Sequence, residues 1–225
     1  QSNLYTTIPH NWVPAIATEA HRLGRGVTGH VPAFTTHDAM SEAGYDEIAH
    51  INQLALGWVL EAGEDTRTPL RLTAMARLAG LDLQASPRVA RSLALMRERG
   101  TALDTTAVIL ERLMLSRAGG ISPGGEHFLD HMPVSYRRFR YRTYVPDLTP
   151  ELDRDYHAGV EKMLEAMKLL HDNGVPLPPG TDDGTGVPVH REHGLYARAP
   201  GHAHAVPARP AGPAPSLGLA ATHGT

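Results

Sequence analysis

Three short apolar runs in this chain each lead to a side chain that can ligate a metal. Val27-Thr28-Gly29-His30 leads into Val31-Pro32-Ala33. Ile48-Ala49-His50 follows, and Val175-Pro176-Leu177 continues through Gly180-Thr181 to Asp182. Two neutral imidazoles and a carboxylate suit Zn²⁺ or a similar divalent ion. An ion held in this way lowers the pKa of bound water toward about 7 and polarises a carbonyl. A carboxylate beside that water, here Asp182, can take its proton and pass it to a leaving group. Each residue alone also has a plainer reading. His30 and His50 could be buried imidazoles bonded to backbone carbonyls, and Thr181-Asp182-Asp183-Gly184 could be a polar turn. Recurrence of one placement in three runs favours the chemical reading.

The elements that must position these residues are legible from periodicity. Asn11 to Leu23 predicts a helix, with Val13, Ile16, Ala17, Ala20 and Leu23 on one face. Val27 to Val31 predicts a strand, Thr36 to Ala43 a short capped helix, and Asp46 to Ile51 the next strand. Strand, helix and strand in so few residues is a parallel βα repeat rather than a hairpin. Pro69 to Leu81, Ser86 to Arg99 and Thr106 to Ser116 carry helical periodicity, and Thr101-Ala102-Leu103-Asp104 is a short strand. Residues 117–150 lack periodicity, as a lid or insertion does. Pro150 opens a long helix to Asp172, with Val160, Met163, Leu164, Met167 and Leu170 as its apolar face, and the strand Val175 to Leu177 follows. The expected class is α/β with a parallel sheet. Ala197 to Thr225 is mostly Ala, Pro, Gly and His without an apolar period, a composition that reads as a disordered tail.

Composition narrows the function classes. With 225 residues the chain can bury one sizeable core, and its net charge of -3 offers no basic field for nucleic acid. There are no cysteines, so neither disulfides nor thiolate zinc sites apply. No apolar run approaches a membrane span. The chain opens on Gln1 rather than methionine, which reads as a cut N-terminus and leaves the compartment open, cytoplasmic or periplasmic. His37, Asp38 and His157 are expected on solvated helix surfaces. The stretch Tyr136 to Tyr144 sets arginines among aromatics and reads as a lid or a binding loop for an anionic substrate. His190-Arg191-Glu192 could buttress the Asp182 loop.

Together these motifs resemble the amidohydrolase superfamily, in its imidazolonepropionase-like and dipeptidase-like branch. Gly29-His30-Val31-Pro32 is similar to that family's strand-five histidine, and Ile48-Ala49-His50-Ile51 to its strand-six histidine. Leu170-His171-Asp172-Asn173-Gly174-Val175-Pro176, leading to Gly180-Thr181-Asp182, resembles the segment that carries its strand-eight aspartate. The resemblance implies a partial TIM-type (β/α)₈ barrel, about strands four to eight, over residues 1–196, with the tail at 197–225. It implies His30, His50 and Asp182 as metal ligands and Asp182 as the catalytic proton carrier. It also implies one or two Zn²⁺ or other divalent ions, and a small amide, cyclic amide or dipeptide-like substrate cleaved by metal-activated water. The family's first-strand His-x-His pair has no counterpart, and Asn3 stands where its fourth strand carries a lysine, which argues against a binuclear site. Such a portion is expected to be inactive in isolation and to self-associate through open barrel edges. Two alternatives stay open: a non-catalytic degenerate barrel fragment, and a related ester or lactone hydrolase.

Overall fold

A computed structural model describes residues 1–199. Within them the chain is α/β, with four short parallel strands in sequential order. These are β1 (Ser2–Leu4), β2 (Val27–Gly29), β3 (Glu47–Ala49) and β4 (Ala102–Asp104). Between β1 and β2 runs α1 (Val13–Arg22), entered through a 3₁₀ turn at His10–Trp12, and α2 (His37–Glu42) connects β2 to β3. Thr35 and Thr36 are both candidate caps for α2 by sequence, and Thr36 is the cap, its hydroxyl accepting from the Ala39 amide at 3.3 Å.

The register sorts the strands into two chemically different faces. Asn3 pairs with Thr28, Thr28 with Glu47, and Ala49 with Asp104. Side chains alternate along a strand, so Asn3, Thr28, Glu47 and Asp104 share one polar face. Leu4, Val27, Ile48 and Leu103 point the other way, are buried, and share one core with Val13, Ala17 and Met40 of the flanking helices. Gly29 is required between β1 and β2. Its φ is +139°, and a Cβ there would stand 2.1 Å from the Leu4 carbonyl oxygen.

Between β3 and β4 lie α3 (Ile51–Val59), α4 (Leu70–Thr73) and α5 (Pro87–Arg99). Ser86 caps α5, with Pro87 at its first position. The helix expected over Pro69 to Leu81 is only one α turn followed by a 3₁₀ segment, Ala74–Gly80. That segment packs on the long helix near the chain's end so closely that a Cβ on Gly159 would meet the Met75 carbonyl at 2.9 Å. After β4 come α6 (Ala107–Met114), α7 (Val134–Arg140), α8 (Pro150–Asp172) and α9 (Pro188–Arg198). The apolar face expected of α8 is buried throughout. Residues 117–150 are largely irregular, relieved by α7 and a 3₁₀ turn at Leu129–His131.

The strand expected at Val175 to Leu177 does not form a ladder of its own. β4 donates to this segment, from the Leu103 amide to the Pro176 carbonyl (3.0 Å) and from the Thr105 amide to the Pro178 carbonyl (3.4 Å). In a parallel pair the return bonds would come from residues 176 and 178, and proline has no N–H. The sequence reading also placed the end of the folded part at residue 196. α9 continues to Arg198 and Ala199 is buried, while the rest of the expected tail, 200–225, lies outside the described residues. Among the described residues no helix is long and apolar enough to cross a membrane.

Candidate functional site

His30 and His50 follow β2 and β3 directly, and neighbouring strands bring their rings to 4.5 Å between centroids, edge to face. Tyr5, just past β1, also meets the His30 ring, at 4.4 Å between centroids. The backbone fixes both histidines. The His30 amide donates to the Leu4 carbonyl (3.0 Å) and its carbonyl accepts from the Tyr45 hydroxyl (3.0 Å). The His50 amide donates to the Asp104 carbonyl (2.8 Å). His50 Nδ1 lies 2.8 Å from the Thr106 hydroxyl, which leaves Nε2 for another partner, whereas His30 Nδ1 is buried with no partner among the described residues.

Electrostatics keep both rings neutral. Burial, then the His50 ring, then Arg71, hold the His30 pKa down at about 4. Burial also lowers His50, opposed by the negative charge of Asp182 and reinforced by Arg71. Neutral imidazole is the form that ligates a metal. Asp182 thus acts electrostatically on His50, from an exposed position in the loop after residue 180.

Backbone strain concentrates here. His50 (φ 69°), Thr106 (φ 42°) and Asp182 (φ 46°) all occupy the left-handed region without being glycine. Such conformations persist only where surrounding structure enforces them, and they cluster at functional sites.

One residue of the cluster escaped the sequence reading. Asp104 ends β4 as His30 and His50 follow theirs, and the rule that selected the histidines would have selected it. Its Oδ1 is buried without a hydrogen bond, and Gly180 packs against it so closely that a Cβ would fall 2.1 Å away. Burial first, then the negative charges of Glu47, Glu192 and Asp182, push its carboxyl up to about 7. Glu47, on the same face, accepts from the Thr28 hydroxyl at 2.8 Å and is raised by burial. On this face of the sheet, then, burial raises both carboxyls, Glu47 and Asp104.

The string His190-Arg191-Glu192 supports the site from behind. Buried Glu192 accepts from the Thr105 hydroxyl (2.6 Å) and from the Ala107 and Val108 amides (3.1 and 2.6 Å), capping α6 just after Asp104. Arg191 pairs with Glu111 at 2.6 Å, and His190 is exposed. His37, expected on a solvated surface, is instead buried. Its Nε2 lies 2.7 Å from the Ser92 hydroxyl and 2.8 Å from Asp38, on the wall of a cavity of about 540 Å³ that His30 and His50 do not line. His157 is exposed as expected.

The donor set fits a divalent ion in kind but not in number. Two neutral imidazoles meet, yet among the described residues no group of three or more His, Cys, Asp or Glu side chains is arranged to hold a metal.

No family model matches the chain, and no curated protein matches it. Its fold resembles that of bottromycin amidohydrolase. The likeness has 21% identity and a TM-score of 0.54, over 88% of this chain and 42% of that one. Two further structures show weaker likenesses. A. niger ochratoxinase has 15% identity and a TM-score of 0.46, over 88% of this chain and 34% of that one. A Xaa-Pro dipeptidase with bound methionine in the active site has 15% identity and a TM-score of 0.49, over 99% and 45%. The chain spans less than half the length of each. Only the bottromycin amidohydrolase likeness carries weight, and it speaks for fold alone.

Proposed function

We propose that this chain is part of a (β/α)₈ barrel of the amidohydrolase type, contributing half of a metal site for hydrolysis of C–N bonds in amides, cyclic amides or dipeptide-like molecules. The observation that carries the reading is the pair of neutral imidazoles, His30 and His50, that meet at neighbouring strand ends. Active sites of such barrels lie at the C-terminal ends of the strands. Likeness of fold to bottromycin amidohydrolase supports the architecture.

In this proposal His30 and His50 supply two ligands, and Asp182 is a third ligand and the proton carrier. A bound Zn²⁺ would supply Lewis acidity and a water of lowered pKa. The protein's own work is then to hold both imidazoles neutral and to move protons. Asp182 would take a proton from the attacking water, and Asp104, whose carboxyl burial pushes up to about 7 and which feels the charge of Asp182, would be a second site for that proton. Asn3 cannot form the carbamate that would bridge two ions, so the proposal is for one ion.

A non-catalytic fragment is the second reading, and two observations favour it: Asn3 in β1, and the lack of a three-donor group among the described residues. A panel of N-acyl amino acids and their ester counterparts, with and without added Zn²⁺, separates the readings. Zinc-dependent amide cleavage lost in His30→Ala supports the first. Cleavage of esters alone points to an ester or lactone hydrolase. A chain that cleaves neither but binds Zn²⁺ through His30 and His50 keeps the first reading, in which half a site does not turn over alone, and one that neither cleaves nor binds Zn²⁺ favours the fragment.

A further inference from the structure

Charge is unbalanced where the 117–150 segment meets the loop carrying Asp182. Two arginines, Arg112 of α6 and Arg140 of α7, converge there on one carboxylate, Asp183. Their side chains are 7%, 4% and 5% exposed respectively. Arg112 Nη1 reaches Asp183 Oδ2 at 2.9 Å, but Arg140 Nη1 stops at 3.8 Å. The rest of Asp183 is already engaged. Its Oδ2 accepts from the Tyr136 hydroxyl at 3.1 Å, and its Oδ1 from the Thr185 amide and hydroxyl at 3.0 and 2.9 Å. One carboxylate thus serves two buried guanidiniums, leaving a net positive charge. Tyr144 stands against Phe139, their ring centroids 5.7 Å apart, and its hydroxyl, like the Nε atoms of both arginines, is buried without a hydrogen-bond partner among the described residues.

Buried cations are normally paired, and buried donors are normally bonded. Aromatic faces offset part of the imbalance. Arg112 lies over the Phe139 ring at 5.2 Å, and Arg140 over Phe128 and Tyr136 at 5.8 Å each. Ring faces attract a cation but accept none of its N–H bonds in the plane of the guanidinium. What this cluster lacks is a second acceptor carrying negative charge.

We propose that Arg112, Arg140 and Tyr144 form a binding site for a compact oxyanion at this seam, with Asp183 holding the two guanidiniums in place. Planar guanidiniums match carboxylate or phosphate oxygens two at a time. The occupant is a free inorganic oxyanion or the carboxylate of a molecule lying across the neighbouring polar face. Its binding fastens α7 to the Asp182 loop, because Arg140 belongs to one and Asp183 to the other.

Thermal melting of the full chain tests this at matched ionic strength, in sodium phosphate against sodium chloride and in N-acetylglycine against its uncharged amide. A ligand that binds only the folded state raises the melting temperature. Phosphate is expected to raise Tm in the unaltered chain and to lose most of that effect in Arg140→Gln. Arg140→Gln should melt no lower than the parent in chloride, since it removes the unpaired charge. Tyr144→Phe, which leaves every charge in place, should reduce the shift in part. Asp183→Asn should melt lower in chloride, because it leaves two buried guanidiniums without a carboxylate. A shift with N-acetylglycine but not its amide assigns a carboxylate source, and a shift with phosphate alone assigns a free anion. No shift in the parent chain, or an equal shift in both Arg140→Gln and Tyr144→Phe, overturns the proposal.

Discussion

Burial drives His30 and Asp104 in opposite directions at one end of the sheet. The folded-state pKa of His30 falls from 6.5 to about 4. Between those values the unfolded chain takes a proton that the folded chain refuses. Its contribution to stability is therefore intact above about 6.5 and lost as pH falls through about 4. NMR titration of the His30 ring should show it neutral at pH 5.5, and a half-protonated ring at that pH would contradict the geometry. Asp104 has the opposite sign, because its pKa rises from 3.8 to about 7. Its contribution is intact below about 3.8 and lost as pH rises through about 7. Asp104→Asn should accordingly stabilise the chain at pH 8 by on the order of 2 kcal/mol, the gain shrinking steadily toward pH 4. Urea unfolding across that range checks the trend, and a gain independent of pH would be inconsistent with it. The two histidines were legible because each follows an apolar run. Asp104 obeys the same pattern, but a carboxylate at a strand end is too common to stand out until Gly180 is seen packed against it. The pairing of Arg112 with Asp183 spans 71 residues and leaves no local signal.

Elements were legible where a local cause sets them. Ser86-Pro87 and Thr149-Pro150 open α5 and α8, each hydroxyl accepting an amide three residues on. Ser86→Ala should cost about 1 kcal/mol in chemical denaturation, and no cost would mean that packing alone starts α5. Gly29 is set by its neighbours rather than by propensity. Gly29→Ala would place a methyl group on the Leu4 carbonyl at positive φ, and a loss of about 2 kcal/mol or more is expected. A near-neutral result would show that β1 can move aside. Elements governed by tertiary contact were misread. The 74–80 segment is wound tightly against Gly159, and the run at 175–178 is paired by β4 but cannot answer through its prolines. α3 went unread because Ile51 to Val59 is almost wholly apolar and buried, without the polar stripe that marks a surface helix.

For the molecule as a whole, a parallel sheet with one apolar face was legible from the alternation of strands and helices. Its other face was not, because three-residue strands are too short for polar alternation to register. β1 bonds to β2 on one side only within the described sheet, and Trp12 and Leu23, at the two ends of α1, are 61% and 56% exposed. Unpaired edges of this kind recruit further strands. Sedimentation velocity should therefore show association that grows with concentration and weakens in Asn3→Pro. A monomer at all concentrations would count against edge pairing. The central claim, a half-built metal site at the strand ends, is met most directly by calorimetric titration of Zn²⁺ into the chain and into His30→Ala, His50→Ala and Asp182→Ala. Near-stoichiometric binding, weakened by each of the three substitutions, is the predicted result. Absence of binding, or binding that survives all three, would contradict the assignment.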